Sequence, residues 1–175
     1  MGKSLILWSE MMEQDIRKYQ VVMMCGVSGS GKTQLALRLA AQGYTLLSAD
    51  RLAWDIYGAE LKKMSHDEVR KAYSHVNQRI DSLLREALER GEKVVIDSTL
   101  CKRSRRDELT QICRIAGVTP ILIYLSATPQ MLAERLNGRS GSGPDDQIVT
   151  PAQLNHFCQH FEAPDPDENF IIIEH

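Results

Sequence analysis

Val21-Val22-Met23-Met24-Cys25-Gly26-Val27-Ser28-Gly29-Ser30-Gly31-Lys32-Thr33 is the stretch from which the fold of this chain is read. Its first five residues form an unbroken apolar run, the pattern of a buried strand. The run leads straight into Gly26-x-x-x-x-Gly31-Lys32-Thr33, and an amphipathic stretch from Gln34 to Ala41 follows. Strand, glycine-rich loop and helix in that order are the setting a phosphate-binding P-loop requires. Gly26, Gly29 and Gly31 let the backbone curl into a nest whose N–H groups point at an anion. The helix that follows adds the positive end of its dipole. Lys32 has the reach for β- and γ-phosphates, and the Thr33 hydroxyl suits a Mg²⁺ ligand. The expected nucleotide-binding set is therefore Gly26, Val27, Ser28, Gly29, Ser30, Gly31, Lys32 and Thr33, with ATP and Mg²⁺ as cofactors. The bland alternative is a Gly/Ser-rich connection that binds nothing.

Outward from this loop, Tyr44 to Ser48 reads as a second strand, ending at Ala49-Asp50-Arg51. Lys93 to Asp97, Thr119 to Leu125 and Phe170 to Ile173 are three more. A long helical stretch from Ser65 to Arg90 carries apolar Val69, Tyr73, Val76, Ile80, Leu83, Leu84, Ala87 and Leu88 on one side; Ser65 is its cap, Glu68 completes a capping box, and Gly91 stops it. A second helical stretch follows Asp97 and runs to Ala116, before Gly117. Thr128-Pro129 opens another, through Arg135 to Asn137, and Pro151 opens the last, to about Phe161. Apolar strands alternating with helices predict a three-layer α/β fold with about five parallel strands and helices on both faces. The glycine-rich loop after the first strand makes it a P-loop NTPase fold, and a lid is expected from the arginine-bearing loop 138–150. One domain is expected over 1–175, with 1–19 as an N-terminal extension and the glycine-rich 138–150 as a lid loop. Leu5, Trp8, Met12 and Ile16 recur at near-helical spacing and predict a short leading helix.

The chain's 175 residues suffice for one core, and its formal net charge of −2 argues against extended wrapping of nucleic acid. No apolar run approaches a membrane span. Met1 to Trp8 is too short an apolar stretch for a signal peptide, and Gly2 lacks the Ser or Thr at position 6 that myristoylation needs. Cys25, Cys101, Cys113 and Cys158 form no C-x-x-C pair, so four reduced thiols in a cytoplasmic protein are expected.

Ligands bind at the carboxyl edge of a parallel sheet, which places Asp50 and Asp97 beside the bound phosphates. Asp97 follows Val-Val-Ile, the hydrophobic-run-then-Asp pattern of a carboxylate that holds a metal or its water shell; its alternative use is a helix N-cap. Asp50 suits a general base toward an acceptor hydroxyl, a metal-shell carboxylate or the N-cap of Arg51 to Tyr57. Arg135 and Arg139 stand four apart and share a face if the helix continues that far, as lid arginines over the γ-phosphate do. Lys102, Arg103, Arg105 and Arg106 open a helix where cations oppose the dipole, a hint of phosphate binding or simply a solvated charge run. His156-x-Cys158-x-His160 has no H-E-x-x-H and reads as packing and surface, not zinc.

With these residues assembled, the chain resembles P-loop kinases of the polynucleotide 5′-kinase and zeta-toxin type, often described as AAA-like ATP-binding proteins. The resemblance covers roughly residues 20–173. It rests on Gly26 to Thr33, Leu47-Ser-Ala-Asp50-Arg51, Val94-Val-Ile-Asp97-Ser98-Thr99 and Glu134-Arg135-Leu-Asn-Gly-Arg139. It implies transfer of the ATP γ-phosphoryl to a hydroxyl, with Asp50 as general base, Asp97 and Thr99 near the acceptor or the metal, and the lid arginines Arg135 and Arg139 on the phosphates held by Lys32, with Thr33 at the metal. Arg51 or the Lys102–Arg106 cluster, Arg103 within it, is the candidate for a further contact to the acceptor. The polynucleotide kinase pattern has an arginine three residues after the base; here that position is Ala53. Gly-Val-Ser-Gly-Ser-Gly-Lys is also similar to gluconate kinases, which keeps a sugar acceptor as the alternative. The acceptor is thus a nucleic-acid end, a nucleotide or a small molecule, with no membrane and no obligate protein partner expected. A nucleotide-dependent switch with slow ATPase activity is the reading from a different class.

Overall fold

The computed structural model describes residues 15–139, 143 and 148–174. Five strands form one parallel sheet: β1 (Val21–Cys25), β2 (Thr45–Ser48), β3 (Val94–Asp97), β4 (Ile121–Ser126) and β5 (Phe170–Glu174), in the order β2-β3-β1-β4-β5. All five β1 residues are buried, as a central strand covered on both faces demands. Its register sets Val22 against Val95 on one side and Ile121 on the other. Alternation then sorts side chains by face. Val21, Met23 and Cys25 join one core, and Val22 and Met24 join the other.

The first core is closed by α2 (Ala49–Tyr57), α3 (His66–Glu89) and α4 (Arg103–Ile115), which contribute Ala53, then Val76, Ile80 and Leu84, then Leu109 and Ile112. The second is closed by α1 (Lys32–Ala40) through Leu35, Ala36 and Leu39, joined by Ile16. Helices on both faces of a parallel sheet make three layers. A third, smaller cluster unites α5 (Pro129–Leu136) and α6 (Pro151–His160) through Leu132, Leu136 and Leu154.

The local signals act as their chemistry requires. Ser65 and Glu68 exchange both bonds of a capping box, with Ser65 N–H donating to Glu68 Oε2 at 2.8 Å. At the far end of α3, Gly91 takes φ 70°. Its N–H donates to Leu88 O and that of Glu92 to Ala87 O, each at 3.0 Å, a Schellman closure that only a left-handed residue allows cheaply.

The structure decides three alternatives that the sequence left open. Helix α2 begins at Ala49, so Asp50 lies in its first turn, and the cap is Ser48, whose Oγ accepts from Arg51 N–H at 3.5 Å. Helix α4 begins at Arg103, leaving residues 98–102 as a loop between β3 and the helix, so Asp97 is not its cap. Helix α5 stops at Leu136, so Arg139 follows a turn and does not continue the helical face of Arg135. The expected leading helix lies outside the described residues up to position 14, as do 140–142 and 144–147 of the lid loop. All four cysteines are free thiols. Burial pushes Cys25 and Cys113 up to about 12, so neither ionises near neutrality. Among the described residues no helix is long and apolar enough to cross a membrane.

Candidate active site

The loop after β1 is shaped by glycine. Gly26, Gly29 and Gly31 adopt φ of 143°, 88° and 101°. A Cβ at Gly26 would lie 2.6 Å from Leu125 O, and one at Gly29 would meet Leu136 Cγ at 3.2 Å. The loop is therefore wedged between β4 and α5. Gly26 N–H donates to Thr99 O at 3.1 Å, which ties the loop to the segment after β3. Lys32 is buried, and its ammonium donates to Val27 O at 3.0 Å, folded over the nest. Burial holds its pKa below the ordinary lysine value, against the upward pull first of Asp97 and then of Asp50.

A cleft of about 1550 Å³ opens at the carboxyl edge of the sheet. Gly29, Gly31, Lys32 and Thr33 line it, as do Asp50, Asp97, Thr99, Arg135 and Arg139. The parallel pairing of β2 with β3 sets Ser48 opposite Asp97, and the Ser48 hydroxyl reaches Asp97 Oδ2 at 3.4 Å. Two turns into α3, the Tyr73 hydroxyl donates to Asp50 Oδ1 at 2.7 Å. Arg135 crosses from α5 to place Nη1 3.3 Å from Gly29 O and 3.5 Å from Ser30 O. Arg139 also faces the cleft, close enough to Lys32 for its charge to lower that pKa further.

Gly26, Val27 and Ser30 belong to the loop but sit behind the cleft wall, and Arg51 is not among the side chains that line it. Arg103 is a correction. It faces away from the cleft, its guanidinium forked on Asp167 at 2.7 and 2.8 Å and bonded to Asp165 at 3.1 Å. Its neighbour Arg106 is buried outright, bidentate to Glu168 at 2.7 and 2.9 Å. The cationic run at the start of α4 is thus largely an ion-pair latch to residues 162–168. Sequence reading missed Tyr73, which it counted with the apolar stripe of α3; an amphipathic side chain at the stripe's edge is the one signal that pointed to it.

The AAA domain family's profile matches residues 21–164. The chain belongs to the AAA domain family. No curated protein sequence matches it. Its fold is similar to that of a gluconokinase from Sinorhizobium meliloti 1021, at 22% identity over 88% of this chain and 81% of that one, TM-score 0.62. It is likewise similar to a sugar kinase from Janibacter sp. HTCC2649, at 20% identity over 89% and 85%, TM-score 0.66. Kti12 of Chaetomium thermophilum, solved in complex with ADP-AlF3, matches at 19% identity over 88% of each chain, TM-score 0.61. At these identities the likeness is one of fold: this member of the family shares the three-layer α/β architecture of those proteins.

Proposed function

We propose that the protein transfers the γ-phosphoryl group of ATP to a hydroxyl acceptor. One observation carries this reading: the Asp50 carboxylate, held by Tyr73, shares the wall of one cleft with Lys32 and the glycine-rich nest. A nucleotide-binding loop alone needs no such carboxylate.

Each group then has a task. The loop amides and Lys32 hold the β- and γ-phosphates. Asp50 orients the acceptor hydroxyl and takes its proton as the new bond forms. Arg135 and Arg139 close from the lid side and offset charge developing on the γ-phosphoryl oxygens. The Thr33 hydroxyl and the Asp97 carboxylate fit a Mg²⁺ that keeps most of its shell as water and phosphate oxygen. When bound with ATP, Mg²⁺ would neutralise phosphate charge.

The test is product analysis with γ-labelled ATP across nucleic-acid ends, nucleosides and sugars. Label is expected in an acceptor; label appearing only as inorganic phosphate with every acceptor would sink the proposal in favour of a nucleotide switch. A finer prediction concerns Tyr73. Removing the hydroxyl that bonds a charged carboxylate should lower kcat for transfer about tenfold, with the dissociation constant for ATP unchanged. Steady-state kinetics and calorimetry on Tyr73→Phe check it, and an unaltered kcat would show that Asp50 needs no such support.

A further inference from the structure

The cleft is larger than one ligand requires, since sites for single small molecules occupy ~300–1,000 Å³ and this one is about 1550 Å³. Part of its wall is a polar face of α3. Tyr73, Ser74, Asn77, Gln78 and Asp81 line it at successive turns, while Val76, Ile80 and Leu84 face the core. From Tyr73 to Asp81 that face extends ~12 Å at 1.5 Å per residue. The loop before α4 and its first turns, with Lys102, Ser104, Arg105 and Glu108, form the opposite side.

The charges of this chamber are already matched. Arg105 donates to Asp81 Oδ1 at 2.7 Å, to Glu108 Oε2 at 3.0 Å and to Asn77 O at 3.3 Å. Lys102 is 2.8 Å from Glu162, and Arg70, which also lines the cleft, is 3.0 Å from Asp67. Each of these three cations is thus paired, Arg105 with Asp81 and Glu108 on the cleft wall itself, and Lys102 and Arg70 with Glu162 and Asp67, which do not line it. A phosphate or carboxylate entering here meets Asp81 and Glu108 as directly as it meets Arg105, and must displace a carboxylate to gain a cation. What the wall offers without such displacement is hydroxyl, amide and carboxylate hydrogen bonding.

We infer that this chamber is the acceptor subsite and that its acceptor is a compact, uncharged molecule with several hydroxyl groups. The inference rests on the phosphotransfer reading above and adds the substrate class. One acceptor hydroxyl oxygen bonds to the γ-phosphorus while the bond from that phosphorus to the β–γ bridging oxygen breaks. ADP leaves with the bond's electron pair, and the hydroxyl proton passes to Asp50.

The experiment compares γ-phosphoryl transfer by the full chain to sorbitol, xylitol and glucose, to gluconate, and to an oligonucleotide with a free 5′-hydroxyl. The wild type should favour the neutral polyols in kcat/KM. Asp81→Asn removes a carboxylate from the wall, and Ser74→Lys adds a cation at an exposed position of the same face. Each should raise kcat/KM for gluconate relative to the neutral acceptors by about tenfold, the effect of one unit charge at close range in a partly shielded site. A gain toward gluconate does not arise from misfolding. Label entering only gluconate or the oligonucleotide in the wild type would overturn the substrate class and leave phosphotransfer standing. Inorganic phosphate as the sole product in every arm would overturn phosphotransfer itself. An unchanged preference in both variants would place the acceptor elsewhere.

Discussion

Asp50→Asn is expected to lower phosphoryl transfer ~10²–10⁴-fold, the usual contribution of a positioned general base, while ATP binding stays intact. The reason is spatial. Asp50 projects from the first turn of α2 and is bonded by Tyr73 from α3, whereas the nest that holds phosphate is built from backbone amides and Lys32. Asparagine keeps the size of the side chain and can still accept a hydrogen bond from Tyr73, but it cannot take a proton. Calorimetry of ATP binding beside a transfer assay separates the two quantities. Comparable losses in both would reassign Asp50 to the nucleotide or its metal shell.

Arg106→Met is expected to destabilise the fold by about 3–5 kcal/mol, the scale seen when one partner of a buried ion pair is removed. The guanidinium is 1% exposed and the Glu168 side chain 9%. Besides that pair, Arg106 Nη1 donates to Leu100 O at 3.0 Å and Glu162 O at 2.8 Å. Leu100 is the one non-glycine residue with positive φ, 44°, among those described. A left-handed leucine persists only where its surroundings enforce it, and Arg106 supplies part of that enforcement. Through Thr99 O the same loop holds Gly26 N–H, so loosening it also reaches the phosphate nest.

The latch is acid-sensitive. Burial pushes the Glu168 carboxyl up, but its hydrogen bonds from Arg106 and from the Asp165 N–H, together with the Arg106 charge, outweigh this and hold it below the usual carboxylate value. A carboxyl depressed in the folded state contributes its stability above its unfolded pKa and loses it as pH falls through the folded one. Urea unfolding of the wild type should therefore show stability falling from pH 7 toward the carboxylate range, and Arg106→Met should show a shallower fall. Replacing both partners, Arg106→Met with Glu168→Leu, should recover part of the loss. If the single variant unfolds at the wild-type urea concentration, the ion pair is dispensable.

The parts legible in the sequence are those set by neighbours along the chain. The run Val21 to Cys25 can only be a covered strand, the glycines of 26–31 can only serve a tight turn, and Ser65 with Glu68 builds its cap from four consecutive positions. Parallel topology followed from apolar strands spaced by helices, which also placed Asp97 and Asp50 at the binding edge. Boundaries were less legible. Nothing local distinguishes Ser48 from Asp50 as the cap of α2, since both are good caps; pairing of β2 with β3 buries Ser48 beside Asp97 and decides it.

Other features had no local signal at all. Arg103 and Arg106 sit in one cationic run with Lys102 and Arg105, yet Arg106 is among the largest fully buried side chains while Arg105 lines the cleft. Their carboxylates, Asp167 and Glu168, arrive from more than sixty positions away, so the run's division into latch and cleft wall exists only once β5 has docked on β4. Tyr73 reads as one more apolar residue of α3 until the packing of that helix on α2 brings its hydroxyl to Asp50. By itself, the sequence determined that a nest for phosphate terminates a central strand, because backbone shape there depends on glycine and hydrogen bonding within a few residues. Which charges face that nest, and which are consumed in holding the fold together, was decided by tertiary contact, because an ionic partner is selected by distance in space.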